Sequence, residues 1–168
     1  MGYTTYFTGQ IDVTPSLNDQ EREFLQKFSG TRRMKRTNGP YFVEGTGFMG
    51  QGGDPDIQDY NTPPDGQPGL WCHWVPNEKG TAIEWDEGKK FYDGEEWMKY
   101  LIDHFIGPNP IAKRGDPDAF AFLQGHDCQG VIDAEGEDSG DIWKIIVENN
   151  EVYIQEARIV FDEGRKVV

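Results

Sequence analysis

Residues 131–158 read VIDAEGEDSGDIWKIIVENNEVYIQEAR, and this stretch decides the fold. Val131–Glu135, Ile142–Glu148 and Val152–Arg158 are rich in β-branched and aromatic residues, which favour a pleated surface. Glu137–Gly140 and Asn149-Asn150 between them carry turn chemistry. The pattern predicts an antiparallel meander whose last strand runs on as far as Phe161.

Working back toward the N-terminus, residues 4–13 alternate. Phe7, Gly9, Ile11 and Val13 share one face and Thr8, Gln10 and Asp12 the other, so this is a strand, ended by Pro15. Asn18 and Glu21 are spaced as a capping box for a helix over 17–29, with Gly30 after it. Leu70–Val75 and Thr81–Trp85 flank the turn Asn77–Gly80 and predict a hairpin. Asp93 and Glu96 give a second cap signal, with Tyr92 placed to pack on Trp97. The helix expected after them, 94–106, carries Trp97, Met98, Leu101, Ile102 and Phe105 on one side and stops at Gly107-Pro108. Residues 31–69 and 107–130 show little periodicity and read as long irregular connections, with a short strand at Tyr41–Val43. Strands outnumber helices and do not alternate with them. The expected class is therefore α+β: one domain over 1–168, a sheet of about five to seven antiparallel strands packed by two helices, and a frayed end over 162–168.

Charge narrows the function classes. The chain of 168 residues carries a net charge of −14, which argues against general nucleic-acid binding and against anionic membrane surfaces. Five Trp, seven Tyr and ten Phe distinguish it from a disordered acidic tail. No apolar run is long enough to span a bilayer, and the opening residues lack a secretory pattern. Cys72 and Cys128 are expected as free thiols, and the expected location is the cytoplasm.

Four groups of side chains are candidates for chemistry. The basic run Arg32, Arg33, Lys35 and Arg36 suits an anion, because guanidinium groups bind phosphate or carboxylate in bidentate fashion; Gly45 to Gly53 nearby would let backbone amides approach. The alternative is that the run neutralises the protein's own acid. Residues 1–36 hold six basic and four acidic side chains, so the acid excess lies wholly beyond them. The histidines come second: His73 beside Cys72, His126 near Cys128, and His104 beside Asp103. Adjacent strand residues face opposite ways, which disfavours joint zinc ligation by Cys72 and His73, so packing roles are expected and no cofactor is implied. Third, Asp133, Glu135 and Glu137 alternate on one strand face and form a weak cation-binding set without the EF-hand pattern. Fourth, Trp71 and Trp74 are candidates for stacking a flat ligand if they are not core.

The stretches MGYTTYFTG (1–9), GTRRM (30–34), QPGLWCHWVP (67–76) and FYDGEEWMKYLIDHF (91–105) resemble a family of small uncharacterised proteins encoded by actinobacteria and their phages. The resemblance covers the chain to about residue 155. It implies an intracellular bacterial or phage setting (the host cytoplasm if phage-encoded) and brings no activity and no catalytic residues. The leading expectation is a non-enzymatic binding protein that captures an anionic small molecule or a host partner protein. An acidic mimic of nucleic acid is an alternative. So is a small hydrolase using His73, His126 or the carboxylates near Glu135.

Overall fold

A computed structural model describes residues 2–44 and 55–168. The Gly-rich stretch from Gly45 to Gly53 lies outside the described residues. The fold is α+β. Six antiparallel strands form one sheet in the order β4-β5-β1-β6-β7-β8. They are β1 (Thr5–Thr14), β4 (Trp74–Pro76), β5 (Ala82–Trp85), β6 (Asp127–Gly136), β7 (Ile142–Glu148) and β8 (Glu151–Glu156). A small second sheet pairs β2 (Lys35–Arg36) with β3 (Ile57–Asp59).

The register explains the alternation. Phe7 faces Ala134, Gly9 faces Ile132 and Val13 faces Cys128 across the β1–β6 ladder; Ile132 in turn faces Ile145 on β7. These positions lie on one face of the sheet, and all but Gly9 are buried. The other face, with Tyr6, Val131, Asp133, Glu135 and Tyr153, is exposed. A sheet half-covered in this way gives the apolar-in, polar-out pattern that made these strands readable. At Gly9 a side chain would meet the Val131 carbonyl at 2.6 Å, so the close approach of β1 and β6 there requires glycine.

Two helices supply the cover. Helix α1 (Asp19–Gly30) begins with the predicted capping box. Asn18 accepts from the Glu21 amide at 2.7 Å, and Glu21 accepts from the Asn18 amide at 3.0 Å. Such a cap contributes about 1 kcal/mol. Leu25 and Phe28 face the core, and the helix packs on β4. Helix α2 (Gly94–Leu101) buries Trp97, Met98 and Leu101 and reaches β8. It passes directly into a π-turn over Ile102–Ile106, closed by the Gly107 amide on the Ile102 carbonyl at 2.8 Å. A short helix α3 (Ile111–Gly115) follows.

Several expectations change. Asp93 does not cap α2: it sits in the left-handed region at φ 55°, where its side chain makes no capping bond. Tyr92 is exposed and receives the Tyr3 amide at 3.1 Å, so it does not pack on Trp97. Tyr41–Val43 is not a strand, and β4 begins at Trp74 rather than Leu70. The two irregular regions hold β2, β3 and α3. β8 ends at Glu156 because β7, its only ladder partner among the described residues, begins at Ile142; the Ala157 amide on the Ile142 carbonyl is the last bond between them. No helix among the described residues is long and apolar enough to cross a membrane.

Candidate functional site

The basic run is drawn into the molecule, because each of its cations has an internal destination. Arg36 pairs with Asp56 at 2.9 Å and lies over the Phe42 ring; its side chain is almost fully buried. Lys35 reaches Asp65 at 3.2 Å. Arg32 covers the Tyr60 ring and donates to the Tyr60 carbonyl at 3.2 Å. Arg33 is 2% exposed, stacks on Phe28 at 4.2 Å and donates through Nη2 to the Phe42 carbonyl. Burial pushes the Arg33 guanidinium down to about 10, and its Nε and Nη1 have no hydrogen-bond partner among the described residues. The backbone follows the same line: the Arg33 amide binds the Leu70 carbonyl, the Lys35 amide that of Thr62, and the Thr37 amide that of Asp56. Among the described residues the run thus clasps residues 56–70 against the body of the protein.

That clasp positions Gln67. Its amide nitrogen donates to the Pro40 carbonyl at 2.7 Å and to the Tyr100 hydroxyl at 3.0 Å. Tyr100 lies on α2, four residues before His104, and the two rings stack at 3.8 Å and 14°. A π-turn carries an extra residue per turn and often marks functional positions; here it holds Asp103 and His104 on the wall of a cleft. Nδ1 of His104 lies 2.6 Å from the Tyr41 hydroxyl. Burial lowers the His104 pKa and raises those of Tyr41 and Tyr100, so all three rings are neutral near pH 7. Gln67, Tyr100, His104 and Tyr41 thus form one connected chain of polar side chains.

The cleft beside this chain has a volume of about 390 Å³, within the size range of small-molecule sites. Gly66 and Pro68 form one side and Val152 and Ile154 of β8 the other, with Tyr100 and His104 between. Its charged rim is Glu95, Glu96, Asp103 and Lys99. Lys99 is taken up by Asp103 at 2.6 Å. Glu95 and Glu96 therefore have no cation within ion-pair distance among the described residues. Burial, and secondarily the nearby Asp93 and Glu96, raise the Glu95 pKa.

Trp74 is 1% exposed, packs on Phe7 and Phe91 and donates to the Gly94 carbonyl, so it is core and offers no stacking face. Trp71 is half-buried and does not line this cleft. Asp133 lies 3.7 Å from Lys144, Glu137 accepts the Thr4 amide at 3.0 Å, and Glu135 is exposed. Among the described residues no three metal-ligating side chains gather. His73 pairs with Asp86 at 3.0 Å, and His126 with Glu21 at 2.7 Å. Cys72 and Cys128 are both buried free thiols, pushed up to about 12 mainly by burial, so neither is a reactive thiolate.

Comparison with family models, with curated proteins and with solved structures found no match to this chain. The site therefore rests on its own geometry. Sequence reasoning missed Tyr41, Gln67, Tyr100 and Glu95. Only the spacing of Tyr100 and His104, four apart on one helix, was a readable signal.

Proposed function

We propose that this is a non-enzymatic binding protein, and that the cleft between α2 and β8 captures a small organic cation with an apolar body. The observation that carries this reading is the rim of the cleft, where Glu95 and Glu96 have no ion-pair partner among the described residues and lie beside the apolar Val152 and Ile154. A half-buried carboxylate with a raised pKa gains most from an arriving cation. The rings of Tyr100 and His104 suit a cationic or aromatic guest. Cationic guests replace the anionic small molecule expected from Arg32, Arg33, Lys35 and Arg36, since those side chains hold residues 56–70. In the bacterial or phage setting implied by the resemblance, such capture serves to sequester a small host signal.

Two probes of nearly the same shape and opposite charge test this. By calorimetry, 2-phenylethylamine binds with a Kd of about 1 mM or tighter, the strength expected of so few atoms, and 3-phenylpropionate does not bind. Glu95→Gln weakens the amine about tenfold. Equal binding of the two probes, or a preference for the carboxylate, refutes the reading.

A further inference from the structure

The two edges of the main sheet differ. β4 is three residues long and ends in Pro76, a residue that cannot extend a ladder. β8 is six residues long, with neither Pro nor Lys, and among the described residues only β7 pairs with it. Beyond Ala157 the sequence holds three consecutive apolar residues that pair with no strand among the described residues. Ile159, Val160 and Phe161 are 81%, 80% and 91% exposed.

Residues 152–161 read VYIQEARIVF. An apolar triad, four polar or small residues and a second apolar triad are arranged almost symmetrically about the Glu156–Ala157 bond. Two copies of this segment laid antiparallel about that point match throughout. Val152 meets Phe161, Tyr153 meets Val160, Ile154 meets Ile159, Gln155 meets Arg158 and Glu156 meets Ala157. No carboxylate is set opposite another in this register, and each apolar cross-strand pair occurs twice. Charge agrees with it. Residues 157–168 hold three basic and two acidic side chains, while residues 1–156 carry an excess of fifteen acidic charges.

We infer that the partner of this edge is a second copy of the same chain. Residues 157–161 of each copy add as a strand to β8 of the other, giving a two-fold dimer with one continuous sheet of twelve strands. The interface is self-complementary, as a two-fold axis requires. The exposed triad is buried, and both open edges are capped. Val152 and Ile154 of β8 also line the cleft, so in the dimer the second copy's Ile159 and Phe161 extend that apolar wall. The inference stands apart from the choice of ligand, since its evidence is the edge and the tail.

Sedimentation equilibrium of the full chain tests it. At about 100 µM, where pairing with a micromolar Kd is well populated, the protein sediments at twice the chain mass. Ile159→Asp with Phe161→Asp, both at fully exposed positions that the fold does not need, gives a monomer. Ile159→Val with Phe161→Leu keeps the dimer. A full chain that is monomeric at this concentration overturns the inference, and so does a dimer that survives the two aspartates.

Discussion

The basic run at 32–36 and the acidic rim at 95–103 are both charge clusters, and the fold treats them in opposite ways. The cations meet aromatic faces and carboxylates within their own chain: Arg36 has Asp56 and Phe42, Lys35 has Asp65, and Arg32 has Tyr60. On the rim the one cation among the described residues, Lys99, goes to Asp103, leaving Glu95 and Glu96 without one there. A charge cluster that is internally matched acts as structure. One that is left unmatched beside a cavity is available to a ligand. By this criterion recognition belongs to the acidic rim, and the basic run serves it at a distance by holding Gln67 in place.

The largest expected effect concerns charges buried with a partner. His126 and Glu21 are both buried, and the imidazole faces acceptors on both nitrogens, Glu21 at 2.7 Å and the Pro15 carbonyl at 2.6 Å. Burial is the largest single effect and opposes charge on each, but their mutual bond and attraction, with the Asn18 and Gln124 amides on Glu21 and the Pro15 carbonyl on His126, together outweigh it, raising the His126 pKa and lowering that of Glu21. His126→Ala strands a buried carboxylate and lowers stability by about 4 kcal/mol in denaturant unfolding. The pH window follows from the signs. The His126 contribution is complete below its ordinary 6.5 and is lost as pH rises through the raised value. The Glu21 contribution is complete above its ordinary 4.5 and is lost as pH falls through the lowered value. The stability difference between the wild type and the Glu21→Gln/His126→Gln double variant is therefore largest from pH 4.5 to 6.5 and shrinks on either side. A difference that stays flat with pH contradicts the assignment.

Arg33 sharpens the same comparison, as a buried cation with no carboxylate partner among the described residues. Arg33→Ala opens space over Phe28 and leaves the Phe42 carbonyl unpaired, costing about 3 kcal/mol. Arg33→Met keeps most of the volume and removes the buried charge, so thermal unfolding places it within about 1 kcal/mol of the wild type, or above it. At the cleft, Tyr41→Phe removes the hydroxyl that fixes His104. The ring stays buried, so the His104 pKa, followed by NMR, remains below 6.5. The smallest effect is expected at Arg32. Its contacts are exposed, and Arg32→Ala changes stability by less than about 0.5 kcal/mol and leaves amine binding unchanged. Loss of binding in that variant would break the division between the two regions.

What was legible in the sequence follows this division as well. β1, β7 and the α1 cap were readable because their signals are local: alternation over a half-covered sheet, and an Asn18–Glu21 pair closed within one turn. The Asp93 signal misled because its left-handed backbone turns the carboxylate away from the amides that a cap must reach. The cleft was hidden. Gln67 and Tyr41 come from chain without periodicity, and the π-turn that places His104 depends on tertiary packing rather than on a motif. The burial of Arg33 and Arg36 was hidden for the same reason, since Phe28 and Phe42, which cover them, approach through the folded chain.

The most direct test of the central claim is where a cation binds. Aromatic ¹H–¹³C spectra of the protein, titrated with 2-phenylethylamine, should show progressive shifts of the His104 and Tyr100 rings, while the Tyr60 ring beside Arg32 stays in place. Shifts confined to Tyr60, or no shifts up to about 10 mM amine, would contradict the account.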